Sequence, residues 1–343
     1  MYLAHLNLQA IMNKIKYSFI VVLTVFSIIS CSKKDDEVEI VPPKPYDVQY
    51  AIDKVDIQEY LKNNYITVDA EYNVTVAKIP AGGTQPNILS YKDNAAFPKL
   101  LSRLVKVHEI EYELYYLVIR EGTGEKPMNV DGVLAAYSGS YLKTTAAEGV
   151  STQTSTHFET VMNPASFMDL FGTIRGWKEI FPQFKTGTYS SNADGSVKYD
   201  NYGVGMIFIP SGLGYYSGGS NSIPSYSPLV FSFKLYEVKR LDHEYKIINN
   251  QSVAEPDGVL SMYEDIDGDG YVWTASELNK GVVNPDDTDG DGIPDFLDTD
   301  DDGDNYTTKL EIKNPATGKP YPFDQIPTCE SGKKNYLDKT CHP

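Results

Sequence analysis

Between Glu255 and Asp304 the chain carries seventeen Asp and Glu residues against Lys280 alone, and this stretch holds almost all of the formal net charge of −17. Charge of one sign at this density cannot collapse on itself, because each carboxylate taken out of water needs a counter-charge or a proton. The acids are also ordered. Asp265, Asp267 and Asp269 stand at alternate positions ahead of Gly270; Asp287, Asp289 and Asp291 precede Gly292; Asp300, Asp302 and Asp304 precede Asn305. The copies are offset by 22 and then 13 residues. Alternating carboxylates before a turn wrap a hard cation. Calcium, which takes six to eight oxygens at roughly 2.3–2.6 Å, suits them better than magnesium, which keeps its waters.

In such a loop positions 1, 3 and 5 give carboxylates, position 7 a backbone carbonyl and position 12 a further carboxylate. The third copy fits best, with Asp300, Asp302, Asp304, the Tyr306 carbonyl and Glu311. The second places Asp295 at position 9 and Asp298 at position 12, and the first has Glu277 one residue late, at position 13, which marks a weaker site. These loops resemble EF-hand calcium loops. Residues 287–302 are also similar to thrombospondin type 3 repeats, where aspartates of adjoining loops share ions. The second and third copies leave no room for a helix between them, so a string of structural calcium ions is expected, and disorder without them. No basic stripe is visible, which argues against nucleic acid as a partner.

The N-terminus reads as an address. Residues 12–16 form a short basic segment and residues 17–30 an apolar run, too short for a comfortable membrane span of roughly 20 residues. The run ends at Ser30-Cys31 and resembles a bacterial lipoprotein signal, which implies that the Cys31 thiol carries the lipid and tethers the protein to the outer membrane, periplasm-facing or at the cell surface. Met12 makes a better start than Met1. Residues 32–37, with two lysines and three acids, are similar to the export tag of surface lipoproteins of Bacteroidetes-type bacteria, and the prolines of residues 41–45 make a stiff spacer. In an exported protein the remaining cysteines, Cys329 and Cys341, read as a structural disulfide.

Hydrophobic residues make up 41% of the chain, enough for a sizeable core. Residues 56–64 have a capping-box start at Asp56 and Glu59, with Ile57, Tyr60 and Leu61 on one face, so a short helix is expected there. Val48, Ile52 and Val55 point to a different side, which argues against one helix running from residue 48. Residues 66–79 read as one or two strands. Further strands are expected over residues 114–119, 133–137 (broken by Ser138-Gly139), 205–209 and 229–238. The last alternates Leu229, Phe231, Phe233 and Leu235 on one face. One short helix over residues 176–184 presents Trp177, Ile180 and Phe184 together. The class is α+β: an antiparallel sheet wrapped around one short helix, preceded by a helical segment and followed by a loop-rich extension.

Six ordered matches across about a third of the chain make residues 106–240 resemble the FKBP-type peptidyl-prolyl cis–trans isomerases. They are Glu121-Gly-Thr-Gly124, residues 133–139, His157-Phe158-Glu159, Gly172-Thr-Ile-Arg-Gly-Trp177, residues 209–215 from Ile209-Pro210 to Tyr215, and Ile223-Pro224 followed by Leu229-Val-Phe231. The resemblance implies a pocket with Trp177 as its floor, Tyr137, Phe158 and Phe231 as walls, and Ile223 near the rim. It further implies that the Ile174 N–H and the Tyr215 hydroxyl bond the carbonyls of proline-containing segments of exported proteins. Phe167 is expected as another wall. Three departures stand out: Glu159 where the family has Asp, Tyr216 where it has a glycine of positive φ, and an inserted Tyr- and Ser-rich stretch over residues 188–202. They open the alternative of a surface module that binds without efficient turnover. No nucleophile motif, phosphate loop or histidine metal spacing occurs. The expected organisation is signal 1–30, tether 31–45, helix-and-strand segment 46–105, FKBP-like domain 106–240, acidic repeats 255–315 and a disulfide-bearing tail 316–343, in a monomer.

Overall fold

The alternation read from Leu229, Phe231, Phe233 and Leu235 is realised in β11 (Leu229–Lys239), near the middle of a seven-stranded antiparallel sheet. The computed structural model describes residues 42–341, so the signal segment and Cys31 lie outside the described residues. The sheet runs in the order β3 (Lys99–Val107), β4 (Ile110–Arg120), β10 (Gly203–Ile209), β11, β5 (Gly132–Ala147) and β6 (Val150–Val161), with β7 (Met168–Asp169) paired to β5. Register shifts in three of its strand pairs curl it. Strands predominate and helices are few, as the α+β expectation requires. The boundary expected between residues 105 and 106 falls inside β3, which belongs to this sheet.

Both faces of the sheet are covered, so its central strands are apolar on both sides. Along β4, Tyr112, Leu114, Tyr116 and Val118 join a core with Trp177, Ile180, Phe181 and Phe184, whereas Tyr115 and Leu117 join a second core with Ile57, Tyr60 and Leu61. The first face is closed by the short helix α2 (Arg175–Ile180), which gives way at Phe181–Gln183 to a tighter turn containing Pro182. The second face is closed by α1 (Tyr46–Asn63) and the hairpin of β1 (Asn64–Val68) and β2 (Val74–Lys78).

Two expectations are corrected here. Helix α1 does not begin at Asp56 but runs unbroken over 18 residues from Tyr46. Its N-terminal half is inverted: Gln49 and Asp53 are buried, while Val48, Ile52 and Val55 are 51%, 45% and 58% exposed. Gln49 Nε2 donates to Asp53 Oδ1 at 2.7 Å, and the Ser211 N–H and hydroxyl donate to Asp53 Oδ2 at 2.7 and 2.6 Å. A satisfied polar pair therefore takes the place of the apolar face that periodicity looks for. Strand β5, likewise, is not broken at Ser138-Gly139 but continues through it to Ala147.

After β11 the chain makes a small hairpin, β12 (Tyr245–Ile248) with β13 (Gln251–Ala254), and then an extension of loops and short turns with one small helix, α3 (Thr308–Glu311). The extension has a modest core of its own, Val259, Ile312, Ile326 and Tyr336. A second cluster, Val130, Val272 and Phe296, joins it to the body. Cys329 and Cys341 are joined as a disulfide. Among the described residues no helix is long and apolar enough to cross a membrane.

Candidate functional site

Register places the aromatic residues. Phe231 on β11 lies opposite Gly139 on β5, and Gly139 lies opposite Glu159 on β6. A Cβ on Gly139 would stand 2.5 Å from Phe158 Cζ and 2.7 Å from Phe231 Cε1, so only glycine lets both rings close over β5. Strict alternation would send Phe158 and Glu159 to opposite faces of β6. A bulge between the pairs Gly139–Glu159 and Ser140–His157 leaves Phe158 as the extra residue and brings both side chains to one side. Trp177 arrives from the opposite direction on α2. That helix approaches the sheet closely because a Cβ on Gly176 would meet Ile209 Cδ1 and Cγ2 at 2.7 Å.

The result is an aromatic cup. The Trp177 ring stands edge-on to Tyr137 and to Phe231, each at 5.0 Å between centroids, and Phe158 stands edge-on to Phe231 at 5.7 Å. Ile223 and Ile174 pack on the same core. Trp177 is 5% exposed, and its Nε1 has no hydrogen-bond partner among the described residues. Ile174 caps the start of α2, where backbone N–H groups lack intrahelical acceptors. Glu159, despite its extra methylene, accepts a hydrogen bond from the Tyr137 hydroxyl at 3.0 Å. Burial and then that carboxylate push the Tyr137 phenol up to about 12. Tyr215, 38% exposed at the rim, is also raised, by burial and then by the Glu159 charge, so its hydroxyl keeps its proton at neutral pH.

Tyr216 does adopt positive φ, at 45°. The strain is of order 1–2 kcal/mol. Its ring stacks on Tyr46 of α1 at 4.1 Å, and its hydroxyl donates to the Lys44 carbonyl. With Asp53 holding Ser211, this makes α1 the clasp of the loop that carries Tyr215. Two elements lie away from the cup. The inserted residues 188–202 form a hairpin, β8 (Thr188–Ser191) with β9 (Val197–Asp200), whose Tyr199 stacks on Tyr236 and donates to Glu237, five or more residues along β11 from Phe231. Phe167 sits beside Gly132 rather than at the cup. A separate cleft lies on the opposite face of the sheet, where Glu59, Asn63, Gln153 and Thr154 mix with Val74, Val76, Met206 and Val230, and none of the aromatic cup residues lines it.

The three acidic loops share one backbone design. Positive φ recurs at Gly268 and Gly270, Gly290 and Gly292, Gly303 and Asn305. In each loop the residue at position 6 donates its N–H to the first aspartate, at 2.9, 3.0 and 2.9 Å. Carboxylate oxygens of Asp265, Asp267 and Asp269 lie within 4.8 Å of one another, as do those of Asp287, Asp289 and Asp291 and those of Asp300, Asp302 and Asp304. Beside the third triad, Glu311 is buried with neither oxygen hydrogen-bonded, and Asp302 Oδ2 is in the same state. Burial and then the loop aspartates push Glu311 up to about 8. Such orphaned carboxylates suit a cation with Asp300, Asp302, Asp304, Glu311 and the Tyr306 carbonyl around it. Asp298 lies near the second-loop aspartates, and its Oδ1 accepts from the Thr299 and Asp300 N–H groups at 2.6 and 3.0 Å.

Two expected ligands are engaged elsewhere. Glu277 turns from the first loop to α2, where it pairs with Arg175 Nη1 at 2.9 Å and with Lys178. Asp295 is buried and accepts from the N–H and hydroxyl of Thr288 at 2.7 and 2.6 Å. Position counting could not foresee either, since their partners were not in the count. Arg175 also bonds Glu179 at 2.7 Å and lies between Tyr271 and Trp273, 4.8 and 4.9 Å from their ring centres. The helix bearing Trp177 is thus gripped by residues 271–277.

Residues 254–336 match a family described as BamM C-terminal. No curated protein matches the chain. Among solved structures it is similar to FkpA from Escherichia coli, at 30% identity and a TM-score of 0.27, over 37% of this chain and 48% of that one. The chain therefore spans about half the length of that relative. It is also similar to a peptidyl-prolyl cis–trans isomerase from Pseudomonas syringae pv. tomato, at 16% identity and a TM-score of 0.32, over 58% of this chain and 100% of that one.

Proposed function

We propose that the body is an FKBP-like domain that binds X–Pro segments of exported proteins in the Trp177 cup and speeds their cis–trans exchange. The observation that carries this reading is the convergence of Tyr137, Phe158, Trp177 and Phe231, from four separate elements, on one edge-to-face cluster. The barrier to X–Pro rotation, ~20 kcal/mol, comes from amide resonance, which places negative charge on the carbonyl oxygen. An apolar cup removes the water that favours this charge separation, and each 1.4 kcal/mol gained is about tenfold in rate. Trp177 would seat the proline ring, the Tyr215 hydroxyl would donate to a substrate carbonyl, and Glu159 would orient Tyr137. No step needs a titrating base.

The extension would be rigidified by calcium held by the aspartate loops, with Glu277 and Asp295 left out of the ligand sets. The ion would supply positive charge against clustered carboxylates. The lipoprotein signal at Cys31 and the match of residues 254–336 support placement at the outer membrane. The positive φ of Tyr216 favours a second reading, a module that binds prolyl segments without fast turnover.

A prolyl-isomerisation assay on the compact unit, residues 44–343, decides between them. Acceleration by the wild type that falls at least tenfold in Trp177→Ala supports the isomerase. Binding of a prolyl peptide without acceleration supports the module, and neither effect from a folded sample refutes both.

A further inference from the structure

The acids with the strongest need of a cation are not those at the alternating loop positions. Glu264 is 0% exposed and Asp301 1%, and none of their four carboxylate oxygens has a hydrogen-bond partner. Asp257, also buried, accepts from the Val259 N–H through Oδ1 at 2.6 Å, and its Oδ2 is unpartnered. Oxygens of the three residues lie within 4.8 Å of one another. Asp257 belongs at the same time to a neighbouring group with Asp242 and Glu244, each of which again has one unpartnered oxygen. The nearby lysines are occupied outside: Lys309 donates to the Pro256 carbonyl and Lys246 pairs with Glu255.

Two equally buried acids nearby provide the contrast. Asp286 accepts from the Ile266 and Trp273 N–H groups, one on each oxygen, and Asp295 is satisfied on both oxygens by Thr288. Those are structural carboxylates, their oxygens satisfied by donors that the fold supplies. Glu264 is given none and Asp301 has only the Thr308 hydroxyl beside it, and leaving such groups bare in the interior is costly. The alternation of the third loop explains how Asp301 comes to be there. Asp300, Asp302 and Asp304 form the loop triad, and the intervening Asp301 faces the other way, into the interior toward Glu264.

We propose that Asp257, Glu264 and Asp301 hold a buried calcium ion, distinct from any ion in the three repeat loops, and that this inner ion closes the extension. Three carboxylates offer six oxygens, five of them without a close hydrogen bond, near the number calcium takes, and there is no His or Cys among them for a softer metal. Their burial leaves little room for the waters magnesium retains. The three ligands come from residues 257, 264 and 301, so one ion would cross-link the segment after β13, the approach to the first loop and the third loop. It would sit close to the small core, for Tyr336 feels the charges of Glu264, Asp301 and Asp257. A small core of this kind is commonly completed by a metal. The proposal does not depend on the isomerase reading, nor on occupancy of the repeat loops.

Calcium itself is the probe, on the compact unit from residue 44. Native mass spectrometry and titration calorimetry count ions in the wild type, in Glu264→Gln/Asp301→Asn, and in Asp287→Asn/Asp289→Asn as a repeat-loop control. The inner variant should bind one ion fewer, and the ion it lacks should be the one that leaves the wild type most slowly when chelator is added. The control should keep that slow ion. The melting temperatures should also cross over. Without its buried charges the inner variant melts higher than wild type in chelator but lower in calcium, a reversal that loss of packing alone would not produce. Equal ion counts in wild type and inner variant, or a variant melting lower under both conditions, would overturn the proposal. Should the inner variant fail to fold, absence of a slowly released ion in the wild type overturns it equally.

Discussion

Substituting Glu277 by Gln tests whether the extension braces the helix that carries Trp177. The Glu277 carboxylate is mostly buried between Arg175, at 2.9 Å, and Lys178. Burial raises its pKa, but the Arg175 and Lys178 charges outweigh burial and hold it below the ordinary glutamate value. Removing one partner of a buried pair costs about 3–5 kcal/mol when the other charge is left alone. Arg175 is not left alone, because Glu179 still accepts from it at 2.7 Å. Glutamine also keeps the shape and one acceptor, so a loss of about 1–2 kcal/mol is expected. That corresponds to a melting temperature lowered by roughly 2–8 °C. A lowered carboxylate stabilises the fold above its unfolded value of 4.5, and the benefit disappears as pH falls through the lower folded value. The difference between wild type and variant should therefore be full at neutral pH and vanish in acid. Trp177 and Trp273, the only two tryptophans in the chain, flank this junction, so their emission reports on it. Thermal melts of wild type, Glu277→Gln, Arg175→Met and the double variant close a cycle. Single effects that add to within about 0.3 kcal/mol, with unchanged emission, would refute the brace.

Other expectations follow from single contacts. Gly139→Ala would force a methyl group between Phe158 and Phe231. An overpacking loss of about 1–3 kcal/mol in denaturant melts is expected, together with weaker prolyl-peptide binding. Asp53 is raised by burial, with its Ser211 and Gln49 hydrogen bonds working against that shift. A raised carboxylate favours the fold below its unfolded value of 3.8, and that contribution fades as pH rises through the raised folded value. Asp53→Asn should flatten this acid-side gain in melts taken across mildly acidic pH. Reducing Cys329–Cys341, which closes a loop spanning 12 positions, should cost the extension about 3 kcal/mol. Proteolysis of the tail after reduction measures it.

How far the sequence could be read depends on where each residue's partner lies. The alternation of β11 and the shared face of Trp177, Ile180 and Phe184 were legible, because burial there follows a local period. The first half of α1 was not, because its buried face is Gln49 and Asp53 and the partner, Ser211, is 158 positions away. Glu277 has the spacing of a loop ligand, yet it answers to Arg175. Ser138-Gly139 has turn composition, but Gly139 is there to admit two aromatic rings into a continuous strand. The group of Asp257, Glu264 and Asp301 has no spacing to notice. Its only sequence signal is that Asp257 and Glu264 lie outside the repeats and Asp301 falls between the alternating positions of the third, in a stretch that already has too many acids.

The clasp between α1 and the Tyr215 loop has a mechanical consequence. Lys44 and Tyr46, the first residues of the compact unit, contact Tyr226 and Tyr216, so the chain enters the body beside the rim of the cup. A pull transmitted along residues 42–45 reaches the Tyr216 loop and, through the Tyr46–His108 stack at 3.7 Å, the turn between β3 and β4 together. Strain entering at the start of the compact unit is thereby shared between the Tyr215–Tyr216 loop and the edge of the sheet.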